Sequence, residues 1–558
     1  MTKIASPQEP EREKLKLTTK LAYGAGDMGS ALTANILIFY LLYFFTNVAG
    51  LPASLAGSIL MIGKVGDAIN DPIVGLLSDR TRTKWGKRLP WMLGGAIPFG
   101  ILFFLQWIVP QFSDDKATND WLLFAYYVLI GILFNIAYTA INLPYTALTP
   151  TLTQDYHERT SLNSFRFAFS IGAGSILALV LAFLVLNEYQ NSEGEGFFIL
   201  GIICAILAII PTLWCTLRIQ DRGFQPILNQ GQKKVVGIIL SIISFLCLVF
   251  AFIRFYSASS TESGLDLLAI FAIIVALLLA GFGFTLLDSY PENHLQPRNL
   301  NLQSEANIET SLPFRQQLKI AFSNKPFLYV IGIYLCSWLA VQLTATILIY
   351  YVVSWIGENG KLSSDDFTLI AIAVQGTALI TLFLWKWVSE KVGKKAVYFM
   401  GTGLWIIAQA GLFLLQPGQL NLMYILAILA GFGISVAYLV PWSMVPDVIE
   451  LDELTTGQRR EGIFYGFMVL LQKFCLALAI WIVGVGLDVA GFVERVPGED
   501  IPIQPDSALF AIRLAIGPLP TLALICGLVL AYFYPITRDY HQQIRLQLAE
   551  RKRQNIEH

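Results

Sequence analysis

Apolar residues in this chain of 558 come in blocks of roughly 20, each long enough to cross about 30 Å of hydrocarbon as a helix. With 55% hydrophobic and 14% charged residues, the chain lies outside the range of soluble globular proteins. Spanning helices are expected at 22–47, 54–78, 89–110, 121–148, 165–187, 197–217, 235–256, 265–287, 327–355, 364–388, 395–416, 421–446, 462–488 and 507–534. The fold class is therefore an all-α polytopic membrane protein with about 14 spans. A net charge of −1 gives no case for a nucleic-acid partner. The six cysteines stand singly in apolar blocks, in no metal-binding or disulfide pattern. His157, His294, His541 and His558 fall in polar loops or the tail, so the membrane holds no histidine relay. No nucleophile motif or metal cluster points to an enzyme, and no loop is long enough for the soluble domain of a sensor. Residues 1–20 lack the apolar core of a cleavable signal, which leaves targeting to the first span.

The second span contains what the others avoid. Gly63-Lys64-Val65-Gly66-Asp67-Ala68-Ile69-Asn70-Asp71-Pro72 places two carboxylates four residues apart, one above the other on a single helix face. One carboxylate at the centre of a spanning helix costs about 2.5–3.5 kcal/mol on insertion scales. Two stacked ones repel unless a cation lies between them or a proton neutralises one. An ion pair with Lys64 is the plainer reading, but one lysine so placed does not neutralise two acids. A site for Na⁺ or H⁺ follows, with no other cofactor implied.

Lys and Arg set the orientation. They crowd the N-terminal segment, the 2–3 loop (Arg80, Arg82, Lys84, Lys87, Arg88), later loops of the same parity and the tail, whereas 111–120 has Lys116 alone among three acids. Both termini are expected in the cytoplasm, with the chain multi-pass in the plasma (inner) membrane. The halves also repeat. Thr33–Tyr40 echoes Thr344–Tyr351, Gly86-Lys87-Arg88 echoes Gly393-Lys394-Lys395, and Leu143-Pro144-Tyr145 echoes Val440-Pro441-Trp442, in the same order. Two six-helix bundles in parallel repeat make the major facilitator architecture, with substrate near the midplane between them. The expected organisation is a cytoplasmic segment 1–20, a first bundle 21–220, an insertion 221–325 with two extra spans and a linker, a second bundle 326–536, and a tail 537–558. The insertion is expected to serve as a peripheral scaffold or oligomer contact, and 313–322 to lie on the cytoplasmic interface as an amphipathic helix.

Lys64 to Pro72 with Trp85-Gly86-Lys87, Tyr138 to Pro150, and Pro446 to Gly462 resemble the glycoside–pentoside–hexuronide:cation symporters, the family of the melibiose carrier. The resemblance covers most of the chain outside 230–300 and implies cation-coupled uptake of a sugar, glycoside or related polyol, driven by Na⁺ or H⁺. It implies a cation site at Asp67, Asn70, Asp71 and Thr139, and a sugar-binding acid at Asp27. Tyr138, Arg166, Tyr438 and Lys473 fall on pocket or coupling positions. Asp79, Arg80 and Lys87, with Asp447, Glu450 and Arg460 in the second half, fall on the cytoplasmic gate.

Two departures bear on the cargo. Asn142 stands where melibiose-type carriers have a second acid, and Thr146 where they stack the sugar on tryptophan. A galactoside-like ligand thereby loses a strong acceptor of vicinal hydroxyls and an apolar platform. A lysophospholipid, as in related animal lipid symporters, is the alternative cargo. The partners expected are the bilayer and a small solute; oligomeric state is not readable.

Overall fold

The computed structural model describes residues 15–152, 161–162, 165–189, 192–220, 224–258, 266–288, 314–357, 364–457, 461–494 and 502–557. The first half is built from α1 (Leu17–Tyr43), α2 (Ala53–Arg80), α3 (Leu89–Leu105), α4 (Lys116–Leu152), α5 (Phe165–Glu188) and α6 (Glu193–Arg218). A hairpin of α7 (Gln230–Ala258) and α8 (Leu267–Leu287) follows, then the short α9 (Phe314–Ser323). The second half comprises α10 (Lys325–Tyr350), α11 (Ser364–Val392), α12 (Lys394–Leu414), α13 (Leu420–Thr456), α14 (Glu461–Val489) and α15 (Asp506–Phe533, broken at Gly517), and the tail forms α16 (Arg538–Glu557).

Twelve helices among the described residues are long and apolar enough to cross a bilayer. Helix α2 has the length but carries Lys64, Asp67 and Asp71, and α3 is a 17-residue apolar helix. With these two, the fourteen expected segments are all helices. Local chemistry marks their starts. Asn324 caps α10 by accepting from Phe327 N at 3.1 Å, with Pro326 in the first turn, and Asp266 caps α8 through Leu268 N and Ala269 N.

The repeat is visible in the helices. Helices α1 and α10 each run into a wider π-helical turn, at Phe44–Val48 and Tyr351–Ile356, and α4 and α13 are both 37 residues long. At 1.5 Å per residue those two reach about 55 Å, well beyond the hydrocarbon.

Among the described residues the halves share a continuous apolar core at one end. At the end away from the termini, one apolar cluster runs through both, from Tyr40, Phe44 and Ala56 to Tyr350, Phe367 and Val483. Buried hydrogen bonds cross it, Tyr40 Oη to Thr368 Oγ1 at 2.5 Å and Thr46 Oγ1 to Tyr350 Oη at 2.8 Å. Helices α2 and α14 touch backbone to backbone there, because Gly57 meets Gly484. Toward the termini the cores separate. Tyr23, Leu89, Tyr145 and Leu152 belong to one, and Phe327, Tyr334, Val448 and Ile544 to another. The cavity between the halves therefore opens on the side of the termini.

Among the described residues the α7–α8 hairpin rests on the first half. Trp214 of α6 donates to Thr285 Oγ1 at 2.8 Å and stacks on Phe282, Arg218 Nε donates to the Thr285 carbonyl, and Thr18 Oγ1 donates to Asp288. Arg254, at the hairpin's far tip, pairs with Asp266 at 2.7 Å.

A Cβ at Gly484 would lie 2.5 Å from the Ala53 carbonyl oxygen. Gly484→Leu is expected to force α2 and α14 apart at the sealed end, at an overpacking cost of about 1–3 kcal/mol. In a background stripped of native cysteines, maleimide labelling of Thr368→Cys should accelerate severalfold when Gly484→Leu is added; an unchanged rate would mean the glycine contact does not hold that end shut.

Candidate functional site

The acids of α2 lie where the two halves meet in the middle of the bundle. Asp67 is buried and Asp71 lies one turn on. Between them comes the ammonium of Lys473, from α14 of the other half: Nζ is 2.8 Å from Asp67 Oδ2 and donates closely to Asp71 Oδ2. From α4, Thr139 Oγ1 lies 3.2 Å from Asp67 Oδ1 and 3.0 Å from Asp71 Oδ1. One hydroxyl proton serves both, so each carboxylate faces the lysine with one oxygen and the threonine with the other. Pro72 has no N–H, so the carbonyl of Ala68, between the acids, lacks its helical donor.

Two of the expected residues take other partners in the structure. The cation facing the acids is Lys473, placed with the substrate pocket from sequence, whereas Lys64 forms no ion pair among the described residues. Asn70 does not join the acids. Its amide turns to the Asn135 carbonyl at 3.5 Å, and Asn135 in turn donates to the Gly63 carbonyl at 3.0 Å. Both contacts tie α2 to α4, so Asn70 supports the helix that holds the acids.

The second group lies in the first half. Asp27 of α1 is buried and paired with Arg166 of α5, Nε to Oδ2 at 3.0 Å. The guanidinium sits 5.5 Å from the Tyr145 ring centre, in cation–π range. Tyr145 stacks on Tyr23 at 5.0 Å and donates to the Tyr23 carbonyl. Gly26 makes this possible, since a Cβ there would lie 2.5 Å from the Tyr145 ring. Asn142 donates to Tyr138 Oη at 3.2 Å, while its own oxygen is buried with no hydrogen-bond partner. Thr146 turns its hydroxyl to the Leu143 carbonyl.

The internal repeat shows what faces this group. The registers that match Thr33 to Thr344 and Pro144 to Pro441 carry Asp27 onto Trp338, Tyr23 onto Tyr334 and Tyr145 onto Trp442. Tyr334 and Trp442 do meet, 5.9 Å apart edge to face, as Tyr23 meets Tyr145. Trp338 packs on Tyr438 at 5.3 Å, and Trp442 stacks on Tyr465. One half thus presents an ion pair where the other presents aromatic rings. Trp338 and Trp442 were missed from sequence; aligning the repeats position by position is the signal that finds them.

The residues expected at the gate divide. Asp447 binds Lys394 Nζ through both oxygens, at 2.7 and 2.8 Å, and lies 3.3 Å from His541 Nε2; Glu450 lies 2.7 Å from the same nitrogen. The cluster belongs wholly to the second half and clamps the tail helix α16 beneath α13, with Ile544 and Leu548 buried alongside. His541 carried no sequence signal beyond lying in a polar tail. Arg80 and Lys87 are exposed and among the described residues pair with nothing, and Arg460 and the Asp79 side chain lie outside the described residues.

A family model for MFS/sugar transport protein matches residues 22–232 and 230–538. The chain belongs to this family. An uncharacterized symporter of Synechocystis sp. is 56% identical over 98% of this chain and 99% of its own length. A sodium-dependent lysophosphatidylcholine symporter of Danio rerio is 26% identical over 98% of this chain and 91% of its own. Among solved structures, the inward-open xylose transporter XylE from E. coli superposes with a TM-score of 0.51 at 13% identity, covering 94% of this chain and 96% of that one. That likeness speaks to the fold alone. The protein is a major facilitator symporter, not an enzyme.

Removing one member of a buried ion pair strands the other charge, whereas removing both does not. Asp27→Asn and Arg166→Gln are each expected to lower the unfolding temperature of the purified protein more than the double variant does. A double variant as unstable as the sum of the two would show that the pair is not the relevant partnership.

Proposed function

We propose that this chain is a cation-coupled symporter in which Lys473 and an incoming Na⁺ or H⁺ alternate at the Asp67/Asp71 pair. The observation that carries the reading is the lysine ammonium shared by both acids across the two halves. With both termini cytoplasmic, as the Lys and Arg distribution indicates, the cavity opens inward, the side to which cation and cargo would leave. Lys473 then neutralises the acids that the departing cation leaves behind. A cation arriving from outside replaces the ammonium, loosens the tie between halves and leaves Lys473 available to the cargo. Two carboxylates, the Thr139 hydroxyl and the Ala68 carbonyl form an oxygen set that suits Na⁺, whereas a proton needs one acid only. Inward movement of one charge yields about 2.3 kcal/mol per 100 mV.

The cargo has a polar head and an apolar part. Asp27, Arg166, Tyr138 and Asn142 bond the head; Trp338, Tyr438 and Trp442 pack the rest. The sequence resemblance to melibiose-type carriers favours a sugar or glycoside, with Asp27 accepting hydroxyls. The Asp27–Arg166 pair opposite aromatic rings favours the lysophospholipid reading, since a guanidinium binds phosphate in a two-pronged fashion. Relatives named as lysophosphatidylcholine symporters support it.

In sodium-free buffer, Lys473→Ala is expected to cost about 3–5 kcal/mol of stability by leaving two buried acids without a cation. Saturating Na⁺ should restore most of that loss and should stabilise the wild type much less, as read by thermal unfolding in choline against sodium chloride. If neither Na⁺ nor acid rescues the variant, the exchange is wrong.

Binding of sugars, glycosides and lysolipids to purified protein, with and without Na⁺ and with Asp71→Cys as control, decides the cargo. Trp338→Ala is expected to weaken lysolipids or apolar glycosides tenfold or more and to spare free sugars. Equal losses for all cargo would place the ring outside the apolar side of the pocket.

A further inference from the structure

On the outside of the first half, away from the cavity, α3 and α4 leave a groove of about 540 Å³. Its walls are apolar, with Pro90, Trp91, Gly94 and Pro98 on one side and Ile136 and Ala140 on the other. From Pro90 it follows α3 for 12 residues, about 18 Å at 1.5 Å per residue, the length scale of a lipid acyl chain. It exists because α3 carries no side chain where one would fit: a Cβ on Gly94 would meet no atom within 4 Å.

One end of the groove opens where the 2–3 loop arrives. Arg80, Arg82, Lys84, Lys87 and Arg88 lie within nine residues that include no acid. The loop is fastened to the groove's mouth by Trp91 Nε1, which donates to Thr81 Oγ1 at 2.8 Å. Arg82 and Lys87 are exposed, and among the described residues neither pairs with an acid.

We propose that groove and loop together bind an anionic phospholipid, one acyl chain lying between α3 and α4 and the phosphate on Arg82 and Lys87. The charge argues for this occupant. Arg82 and Lys87 beside an apolar slot attract a lipid with net negative charge, and by the Lys and Arg count the loop lies at the cytoplasmic leaflet, where such lipids concentrate. A second copy docked here about a two-fold axis would bring the same cations against themselves. The lipid would lie against α4, the helix whose other side presents Thr139 to the acids.

The test uses the full chain purified in detergent, supplied with phosphatidylglycerol or phosphatidylcholine of identical acyl chains, and read by native mass spectrometry and thermal unfolding. Phosphatidylglycerol is expected to stay bound and raise the unfolding temperature by several degrees, and phosphatidylcholine to do neither. Gly94→Phe has open space for its ring, so its lipid-free stability should be unchanged while both phosphatidylglycerol effects vanish. Arg82→Gln with Lys87→Gln should reduce phosphatidylglycerol to the level of phosphatidylcholine, and carries the test alone if Gly94→Phe unfolds. Equal effects of the two lipids on the wild type overturn the proposal, as does an undiminished phosphatidylglycerol shift in the variants. A detergent-stable dimer that Gly94→Phe dissociates also overturns it, by assigning the groove to a second copy.

Discussion

A single ammonium, shared by two carboxylates in the middle of a membrane protein, ties one half of this molecule to the other. Neither member is tolerable alone in hydrocarbon, so each half is incomplete without its partner at that level. The tie is built from charge. At the end away from the termini the halves meet through apolar contacts and hydroxyl pairs, which do not respond to ions. In the proposed exchange a cation would act at the Asp67, Asp71 and Lys473 side chains, and the surrounding contacts would convert its occupancy into an angle between the two halves.

The pocket beside this tie is asymmetric in a way the internal repeat makes plain. The halves have retained their helix lengths, their terminal π turns and one pair of stacked rings, yet Asp27 in one corresponds to Trp338 in the other. Duplication supplied the scaffold; divergence at matched positions gave the cavity an ionic wall and an aromatic wall. Such a cavity would suit the proposed cargo with a polar head and an apolar part.

Much of this was legible in the sequence, and the failures share a cause. All fourteen helices were readable because length and apolarity are properties of one segment. The two acids stood out because charge in hydrocarbon demands a partner, and the family resemblance put Thr139 beside them. What the sequence concealed were pairings between distant segments: Lys473 lies 402 residues from Asp71, and Arg166 lies 139 from Asp27. Asn70, one residue before Asp71, looked like a ligand by proximity but turns to α4. His541, in a tail with no apolar block, reads as solvated until α13 places Glu450 beside it.

Among the described residues the α7–α8 hairpin is attached to the first half, through Trp214, Arg218 and Thr18. That half therefore offers eight helices to the surrounding lipid and the other six, and its outline in the membrane plane is broader. Two bodies that rock against each other share the rotation unequally when one is more strongly damped. In the proposed alternating access the half bearing the hairpin would act as the stator, and the half bearing Lys473 and the clamped tail would make the larger swing.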